Sequence, residues 1–422
     1  MSTFSKDAYY DMIEQVCSRH QSVQSAGFSG DAYKPGLERT RAFNEAAGNP
    51  AGAFKCIHIA GTNGKGSVCH MLASALAATG LRTGLYTSPH LNDFRERARI
   101  VTGNGFSLIP EEYVFNFLSN YMETADRLSL SFFEITTILA FRWFADKGVD
   151  IAVIETGLGG RLDSTNIITP ELSIITSIGL DHCAILGNTR AEIAREKAGI
   201  IKPGRPTLIG SRDNETSGVF EKAASDVGSP LSFADDMDIN TAGILETMDL
   251  KGEYQSQNLQ TVLCALDILG IPVMEDALTN AAKRTGFHGR WEILNGKPLT
   301  IADIGHNPPA LEWNFRQLEK IMPMHDKLTI VYGVMADKAV DDIIPMMPDN
   351  DRTHYIFVKP DTPRAMDADE ILRRFSSHAH KASYETARSV QEGLQRARGI
   401  STDESVIYIG GSTYVVCEAL KG

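Results

Sequence analysis

The chain has 422 residues and a hydrophobic fraction of 43%, enough for two or three well-packed domains. It carries 41 lysines and arginines against 53 aspartates and glutamates, a formal net charge of −12. This acidic balance argues against a sequence-independent nucleic-acid binder, and no apolar run is long enough to predict a membrane-spanning helix.

The six cysteines are scattered along the chain, and none forms a C-x-x-C pair. Most of them lie in apolar contexts that are typical of reduced core thiols. The first residues are polar and lack the apolar core of a signal peptide. We therefore expect a cytoplasmic enzyme.

From residue 54 onward, short apolar runs alternate with amphipathic helical patterns, which predicts an α/β fold around a mostly parallel sheet. The predicted strands of the first part are Phe54–Ile59, Thr83–Tyr86, Ile151–Ile154, Leu172–Thr176 and Pro206–Ile209. The predicted helices are Pro110–Tyr121, Glu134–Ala145 and Gln255–Leu269. The segment Ser232–Glu253 is less regular, and we expect it to add short antiparallel strands.

A glycine-rich run, Gly61-Thr62-Asn63-Gly64-Lys65-Gly66-Ser67, follows the first predicted strand and precedes a helical pattern over Val68–Ala78. Glycines let backbone N–H groups approach a phosphate, and the helix N-terminus and Lys65 add positive charge. We therefore expect a nucleoside triphosphate site. The run departs from the usual G-x-x-x-x-G-K-[ST] pattern at Ile59 and Gly66, so an ordinary strand-to-helix turn is the alternative interpretation.

Polar side chains follow several predicted strands, where ligands gather in open α/β sheets. Glu155 ends one strand, and Ser88 and His182 follow two others. Because Mg²⁺ binds few protein oxygens together with phosphates, these three residues are a candidate metal site. A carboxylate that caps backbone N–H groups is the alternative for Glu155, and a structural hydrogen-bonding role is the alternative for His182. Lys197 ends a predicted helix and, taken alone, is typical of a solvated lysine.

A second alternating block begins near Pro298. Its predicted strands are Leu299–Asp303, Leu328–Tyr332, Tyr355–Lys359 and Val406–Ile409, and its predicted helices are Pro308–Ile321, Asp367–Phe375, Val390–Ala397 and Tyr414–Leu420. The turn residues Asn295-Gly296 place the boundary within Glu292–Lys297. We therefore predict a phosphate-loop domain over residues 1–294 and a smaller Rossmann-like domain over residues 295–422.

Taken together, the motifs resemble the folylpolyglutamate synthase / dihydrofolate synthase branch of the Mur ligase family. They are, in order, the glycine-rich run, Ser88-Pro89-His90-Leu91, Glu155–Asp163, Leu180-Asp181-His182, Glu196–Ile200, His288–Glu292, Asp303–Pro308 and Tyr332–Lys338. The resemblance implies a first domain of the Mur ligase central-domain type. It also implies an ATP-dependent amide ligase, in which ATP converts a carboxylate to an acyl phosphate that the amine of L-glutamate attacks.

The resemblance also implies roles for individual residues. ATP would be bound by Asn63, Gly64, Lys65, Gly66, Ser67, Asn258, Arg290, Asp303 and His306, and one or two Mg²⁺ ions by Ser88, Glu155 and His182. Lys65, His182 and Lys197 would be catalytic. Lys197 matches a lysine that CO₂ carbamylates in this family, a reaction that needs a neutral amine and hence a depressed pKa. Because Arg290 and Asp303 flank the predicted boundary, ATP would lie between the domains.

For the pterin of the acceptor, the resemblance points to Phe132, Phe133, Leu162, Asp163 and Ser164. An aromatic ring can stack on a flat pterin, and a carboxylate can pair with its N–H groups, although core packing is the alternative for the two phenylalanines. The expected substrates are dihydropteroate or a reduced folate, with L-glutamate. We expect a monomer without nucleic-acid or membrane partners. Departures from the family pattern are Ile304-Gly305, Cys183 and Ser164, and none removes a proposed ligand.

The leading hypothesis is a bifunctional dihydrofolate synthase and folylpolyglutamate synthase. Chain extension alone is an alternative, as is another Mur-type amino-acid ligase, although few residues precede the glycine-rich run to form a UDP-binding domain. Two other classes are a phosphotransferase or GTPase, which the shifted hydroxyl and the C-terminal block disfavour, and a non-catalytic folate-binding homologue. The non-catalytic alternative is disfavoured because the chain retains Lys65, Glu155, His182 and Lys197.

Overall fold

The computed structural model describes residues 3–20, 35–338 and 340–421. The described residues group into two units, one within residues 1–249 and 255–286 and the other within residues 250–254 and 287–422. The short segment 250–254 thus belongs to the second unit although the chain returns to the first after it. No helix in the described part of the chain combines the length and apolarity needed to cross a membrane.

Eight strands form the sheet of the first unit. They are β1 (Lys55–Ala60), β2 (Thr83–Tyr86), β3 (Ala98–Thr102), β4 (Gly105–Leu108), β5 (Ile151–Glu155), β6 (Leu172–Ile175), β7 (Thr207–Ile209) and β8 (Leu231–Phe233). Their order is β4-β3-β2-β5-β1-β6-β7-β8. Only the β2–β3 and β3–β4 pairs are antiparallel, so the prediction of a mostly parallel sheet is confirmed.

The helices of the first unit are α1 (Lys6–Arg19), α2 (Glu38–Ala46), α3 (Lys65–Ala78), α4 (Glu111–Arg127), α5 (Phe132–Asp146), α6 (Cys183–Leu186), α7 (Arg190–Ala198), α8 (Ser217–Val227), α9 (Ala242–Thr247), α10 (Gln255–Leu269), α11 (Glu275–Thr279) and α12 (Ala281–Thr285). Short 3₁₀ turns cover Pro50–Gly52, Phe94–Arg97, Ser164–Ile167 and Ala234–Asp236. Two helices that carry candidate site residues begin at capping boxes, α5 at Ser131 with Glu134 and α7 at Thr189 with Glu192. These caps fix where each helix begins.

The predicted strands of the first unit match the observed ones to within one residue at each end. The prediction of antiparallel strands over Ser232–Glu253 is wrong. β8 pairs in parallel with β7, because α8 carries the chain across between them, and most of the remaining segment holds a 3₁₀ turn and α9. The sequence also gave no sign of the antiparallel strands β3 and β4.

The second unit contains a six-stranded sheet of β9 (Glu292–Gly296), β10 (Leu299–Ala302), β11 (Leu328–Tyr332), β12 (Thr353–Val358), β13 (Ser383–Ala387) and β14 (Val406–Gly410). The order is β13-β12-β11-β14-β10-β9, and only β9 runs antiparallel to its neighbour. Its helices are α13 (Pro308–Ile321), α14 (Val340–Ile343), α15 (Ala368–Ser376), α16 (Val390–Gly399) and α17 (Thr413–Lys421), with 3₁₀ turns at Met322–Met324 and Ile344–Met346.

The segment that the sequence marks as the domain boundary, Glu292–Lys297, forms strand β9 and the start of its turn into β10. The two units divide between residues 286 and 287. The predicted Rossmann-like second domain corresponds to a mostly parallel sheet that packs on a core including Leu311, Phe315, Tyr332 and Phe357.

The register of the strands in the first unit determines which segments lie next to the glycine-rich run. β1 lies between β5 and β6, with Ile59 paired to Glu155 and Ala60 paired to Ile175. Because all three strands are parallel, their carboxyl ends meet at one edge of the sheet. The glycine-rich run therefore leaves β1 between the segments that follow β5 and β6.

Candidate functional site

The glycine-rich loop between β1 and α3 is held by residues at the end of β6. Thr176 Oγ1 donates a hydrogen bond to the Asn63 carbonyl at 2.6 Å, and Ser177 Oγ donates to the same oxygen at 3.0 Å. The Thr62 N–H donates to the Ser177 carbonyl at 2.7 Å. These bonds fix the backbone of the loop without using its side chains as partners.

Two glycines of this loop are required by close neighbours and by backbone conformation. A Cβ atom on Gly61, whose φ is +153°, would lie 1.9 Å from Thr176 Oγ1. A Cβ atom on Gly64, whose φ is +87°, would lie 2.3 Å from Asn258 Oδ1. Gly64 is also the N-cap residue of α3, so the loop leads directly into a helix N-terminus, where anions are stabilised.

Lys65, the first residue of α3, curls back over the loop. Its Nζ atom donates to the Gly61 carbonyl at 3.0 Å and to the Thr62 carbonyl at 3.1 Å. The two carbonyl oxygens fix the position of the ammonium group over the loop. The arrangement places a cation beside the turn, as the predicted phosphate-binding role requires.

Ser67 and Asn258 are joined through a third residue, Gln255. Gln255 Nε2 donates to Ser67 Oγ at 3.1 Å, and Asn258 Nδ2 donates to Gln255 Oε1 at 2.8 Å. All three are buried. The structure thus brings two of the predicted nucleotide ligands, Ser67 and Asn258, to the same side of the loop as Gly64.

Lys197 is 4% exposed, and its Nζ atom donates to the Gly61 carbonyl at 2.8 Å. Burial is the main cause that lowers its pKa to about 7, and the nearby charge of Lys65 lowers it further, against Asp181 and Asp163. The interpretation of Lys197 as a solvated helix-end lysine is therefore wrong. A substantial fraction of this amine is neutral near pH 7.

A cavity of about 280 Å³, including its open mouth, lies over the loop. It brings together the three predicted catalytic residues, Lys65, His182 and Lys197. The other lining residues come from the glycine-rich loop and the segments after β5 and β6, namely Gly61, Thr62, Thr156, Gly157, Leu158, Gly159, Asp181 and Leu186. The arrangement can receive an anionic group between two amines and an imidazole.

The oxygen donors predicted to bind a metal ion lie at the same sheet edge. Glu155 is 5% exposed, and its Oε2 atom accepts a hydrogen bond from the Ser88 N–H at 3.2 Å. Within residues 3–20, 35–338 and 340–421, no three His, Cys, Asp or Glu side chains cluster as a metal site would require. A hard ion there would therefore depend on hydroxyl and phosphate oxygens besides Glu155, which fits Mg²⁺ chemistry. The metal site stays a prediction.

His182 has a backbone φ of +53°, in the left-handed region that residues other than glycine seldom adopt. Its N–H donates to Asp181 Oδ1 at 2.9 Å, and its ring Nε2 lies 3.8 Å from Asp181 Oδ2. Strained backbone of this kind concentrates at functional sites. His182 is one of the residues that line the cavity.

The aromatic residues predicted to contact a pterin have different environments. Phe132 is buried in the core, with the Arg97 guanidinium 5.0 Å from its ring centre, so core packing accounts for it. Phe133 is half-buried, and its ring lies 2.5 Å from where a Cβ of Gly157 would be. Phe133 is thus the one of the two that borders the loop after β5. Its role towards a pterin stays a prediction.

The Asp163 side chain joins two parts of the segment after β5, at Leu158 and at Thr165. Its carboxylate accepts hydrogen bonds from the Leu158 N–H at 2.8 Å, the Thr165 N–H at 3.0 Å and Thr165 Oγ1 at 2.5 Å. Burial raises its pKa, and these hydrogen bonds oppose the rise. Leu162 beside it is half-buried, and Ser164 is buried in the following 3₁₀ turn. Asp163 therefore has a clear structural role, and its contact with a substrate stays a prediction.

In the second unit, Asp303 is 2% exposed and each of its oxygens accepts two hydrogen bonds. Oδ2 accepts from Tyr254 Oη and the Trp291 N–H, and Oδ1 accepts from the Gly305 N–H and Asn314 Nδ2. The Arg290 guanidinium lies 5.8 Å from the Phe287 ring centre. The ring Nδ1 of His306 lies 3.0 Å from the Ile304 carbonyl oxygen. Nucleotide binding by Arg290, Asp303 and His306 stays a prediction.

Sequence reasoning assigned no role to four residues that shape the site: Thr176, Ser177, Asp181 and Gln255. Thr176 and Ser177 immediately follow β6, a position that could have suggested contact with the loop. Asp181 precedes His182 and lines the cavity. Gln255 begins α10, where helical periodicity carries no information about its hydrogen bond to Ser67.

Two family profiles match the chain. The profile described as "Mur ligase middle domain" matches residues 59–270, and the profile described as "Mur ligase, glutamate ligase domain" matches residues 289–413. The chain is similar to the dihydrofolate synthase/folylpolyglutamate synthase of Bacillus subtilis, with 31% identity over 92% of this chain and 95% of that protein. Relatives from Haloferax volcanii and Halobacterium salinarum, named probable bifunctional folylpolyglutamate synthase/dihydropteroate synthase, are longer, and the chain spans about half their length.

Solved structures agree with the same fold. The structure of Escherichia coli FolC in complex with DHPP and ADP has a TM-score of 0.82 and 27% identity, covering 98% of this chain and 97% of that chain. A bifunctional folylpolyglutamate synthase/dihydrofolate synthase with Mn, AMPPNP and L-glutamate bound has a TM-score of 0.81 and 26% identity, covering 98% and 97%.

Proposed function

Because the chain belongs to the Mur ligase family, whose members are ATP-dependent ligases that form C–N bonds, we propose that it adds L-glutamate to dihydropteroate, to folyl-(poly)glutamate or to both. The reaction would convert ATP to ADP and phosphate. Chain extension alone and another Mur-type amino-acid ligation are the alternatives within the family.

The chemistry requires that a carboxylate become an electrophile. The carboxylate attacks the γ-phosphorus of ATP, the bond to the β–γ bridging oxygen breaks, and ADP leaves. The neutral amine of glutamate then attacks the acyl carbon, inorganic phosphate leaves with the electron pair of the C–O bond, and the nitrogen gives up one proton to the phosphate or to solvent. Both steps concentrate negative charge on phosphate oxygens, which positioned cations and N–H groups stabilise.

The glycine-rich loop, Lys65 and the N-terminus of α3 would hold the phosphates of ATP. Lys65 already sits beside the loop, bonded to two carbonyl oxygens, so little reorganisation is needed for it to reach an anion. Ser67 and Asn258, joined through Gln255, would support the same site. The single observation that carries the proposal is this loop in one cavity with His182 and Lys197.

Ser88, Glu155 and His182 are the residues that would hold one or two Mg²⁺ ions, as the Mn bound in a similar structure supports. When bound, the metal would neutralise charge on the phosphate oxygens. The Ser88 N–H bond orients the Glu155 carboxylate at the end of β5. His182, on the opposite segment, is fixed by its own backbone bond to Asp181.

Lys197 would act as a carbamate. A neutral Nζ attacks CO₂, an N–C bond forms while the electron pair of one C–O π bond moves to oxygen, and the nitrogen releases one proton to solvent, so that a neutral amine becomes a carbamate anion. The pKa of about 7 supports this step because the neutral amine is then abundant at physiological pH. The hydrogen bond from Nζ to the Gly61 carbonyl would hold the group beside the phosphate loop.

A coupled ATPase assay tests the proposed function. Phosphate release that depends on both a pteroate or folate acceptor and L-glutamate would support it. Release with neither substrate present would instead support a simple nucleotidase and overturn it. A comparison of turnover with dihydropteroate and with tetrahydrofolate then separates the bifunctional enzyme from one that only extends chains.

A further inference from the structure

A buried histidine lies beneath the loop that follows β5, outside every residue set assigned above. His58 is in the middle of β1 and is fully buried. Its Nε2 atom lies 2.8 Å from Thr165 Oγ1. Its Nδ1 atom has no hydrogen-bond partner among the described residues. A buried imidazole nitrogen without a partner costs free energy, so the presence of a histidine here calls for an explanation.

The direction of each hydrogen bond in this group follows from the number of available protons. Thr165 Oγ1 has a single proton, which it donates to Asp163 Oδ1 at 2.5 Å. The hydroxyl can then only accept from His58, so Nε2 carries the imidazole hydrogen. Burial lowers the pKa of His58 to about 3, which agrees with a neutral ring.

Asp163 connects Thr165 to a residue of the cavity wall. Its other oxygen, Oδ2, accepts from the Leu158 N–H at 2.8 Å. Leu158 and its neighbours Gly157 and Gly159 line the cavity with Lys65 and Lys197. The series His58–Thr165–Asp163–Leu158, which we name the β1 relay, therefore ends at the cavity wall and passes through Asp163, one of the residues predicted to contact the pterin of the acceptor.

The same loop is packed against the end of α7, which carries Lys197. The Arg161 N–H donates to the Glu196 carbonyl at 2.7 Å, and a Cβ on Gly160 would lie 2.8 Å from the Lys197 carbonyl. Asn166 Nδ2 donates to both the Arg161 and the Gly199 carbonyl oxygens at 3.0 Å. A shift of the loop would thus disturb the backbone beside Lys197.

We propose that His58 is a positioning residue that acts through Thr165 to hold Asp163 and the Gly157–Asp163 loop in the shape that lines the cavity. The inference deepens the proposed function and rests on it for the identity of the acceptor. His58 itself touches no substrate. Through Thr165, it fixes the Asp163 carboxylate, which accepts the hydrogen bonds that hold the loop in place.

The structural part of the proposal is tested without catalysis. Histidine ¹⁵N spectra of the unliganded protein are expected to show His58 neutral with its hydrogen on Nε2, and a hydrogen on Nδ1 would overturn the relay. Amide exchange at Leu158 is expected to accelerate about tenfold in His58→Leu and Thr165→Val, the effect of one lost buried hydrogen bond. Unchanged exchange at Leu158 in folded Thr165→Val would also overturn it.

Two further variants separate positioning from general stability. His58→Gln places an amide donor near the position of Nε2 and is expected to restore slow exchange. His70→Leu is the matched control, because buried His70 makes the same type of bond, from Nδ1 to Thr285 Oγ1 at 2.7 Å, between α3 and α12. It is expected to leave Leu158 exchange unchanged, and acceleration equal to that of His58→Leu would show only a general loss of stability.

Kinetics test the link to the site. In His58→Leu, KM for the acceptor is expected to rise about tenfold and by clearly more than KM for ATP, because the relay ends in the loop that carries Asp163, whereas Thr176 and Ser177 hold the glycine-rich loop directly. An unchanged acceptor KM despite faster Leu158 exchange would overturn the positioning role. If the wild type ligates glutamate to neither acceptor, the proposed function fails, and the exchange and ¹⁵N results still decide whether the relay exists.

Discussion

The Nζ atom of Lys197 donates a hydrogen bond to the carbonyl oxygen of Gly61 at 2.8 Å. The same oxygen accepts from Lys65 Nζ at 3.0 Å. One carbonyl of the glycine-rich loop thus joins two amines that come from separate helices, α3 and α7. A positive charge on Lys65 disfavours a second positive charge on Lys197. The neutral form of Lys197 is therefore favoured, since Lys197 is the more deeply buried of the two lysines.

The depressed pKa of Lys197 makes stability depend on pH in a defined window. In the folded protein the pKa is about 7, whereas a lysine in the unfolded chain titrates near 10.4. Between these values the unfolded state binds more protons, so the free energy of unfolding rises with pH. Lys197→Met removes this contribution and is expected to raise Tm most at and below about pH 7, with the gain declining towards about pH 10.

Thermal unfolding of the two proteins at a series of pH values measures this difference, because titrating groups that are distant from Lys197 contribute equally to both. Exposed Lys222, which pairs with Asp226 on α8, supplies the control variant Lys222→Met. A Tm difference for Lys197→Met that stays constant from about pH 7 to 10 would show that Lys197 is not neutral in the folded state.

Carbamylation of Lys197 predicts chemical rescue. Lys197→Ala is expected to lower turnover on the order of a hundredfold, and short carboxylic acids such as acetate should restore part of it by supplying the missing anion. The measurement is turnover against acetate concentration, with electron density at Lys197 of the wild type as direct evidence for the carbamate.

Lys202→Ala is the control for that rescue. Lys202 follows the same helix and donates to the Asn166 carbonyl at 3.1 Å, but it does not line the cavity. Acetate is expected to leave its turnover unchanged. Equal responses of the two variants to acetate would mean that the acid acts elsewhere, and the carbamate assignment would be lost.

The parts of the fold that the sequence predicted well are those with strong local signals. Buried strands of branched residues, such as Ile151–Ile154, and long helices, such as Pro308–Ile321, were placed to within one residue. β8 was given the wrong orientation because strand direction depends on the crossover helix α8 and not on the strand's own residues. β3 was missed although it is buried, because Arg99 interrupts its apolar run, and β4 was missed because it is short and contains no buried residue.

The residues of the candidate site also differ in how well the sequence predicts them. Motif residues that interact within a few positions of the chain, such as Gly64 and Lys65, could be predicted from their spacing. Gln255 and His58 could not, because their partners Ser67 and Thr165 are far away in the sequence. The neutral state favoured for Lys197 also needs the fold, since burial is what lowers its pKa.

Gly64 tests whether the loop conformation is needed for nucleotide binding. Gly64→Ala would place a Cβ 2.3 Å from Asn258 Oδ1 at a φ of +87°, so the loop must move. We expect ATP affinity to fall at least about tenfold, consistent with the energy of a left-handed non-glycine residue, and calorimetric titration with ATP measures it. Gly218→Ala in α8, where a Cβ meets no atom within 4 Å, is the control. Equal affinities for the two variants would contradict a phosphate-binding loop.

Glu155→Gln separates a metal ligand from a backbone cap. The glutamine carbonyl can still accept the hydrogen bond from the Ser88 N–H, so a purely structural Glu155 predicts near-normal turnover. A metal ligand predicts a loss on the order of a hundredfold at limiting Mg²⁺, partly recovered at high Mg²⁺, because the neutral amide binds a hard cation weakly. Turnover against Mg²⁺ concentration distinguishes the two. Glu171→Gln, at the surface pair with Arg205 before β6, is the control and should follow the wild-type curve. If Glu155→Gln also follows it, the carboxylate caps the backbone and the ion binds elsewhere.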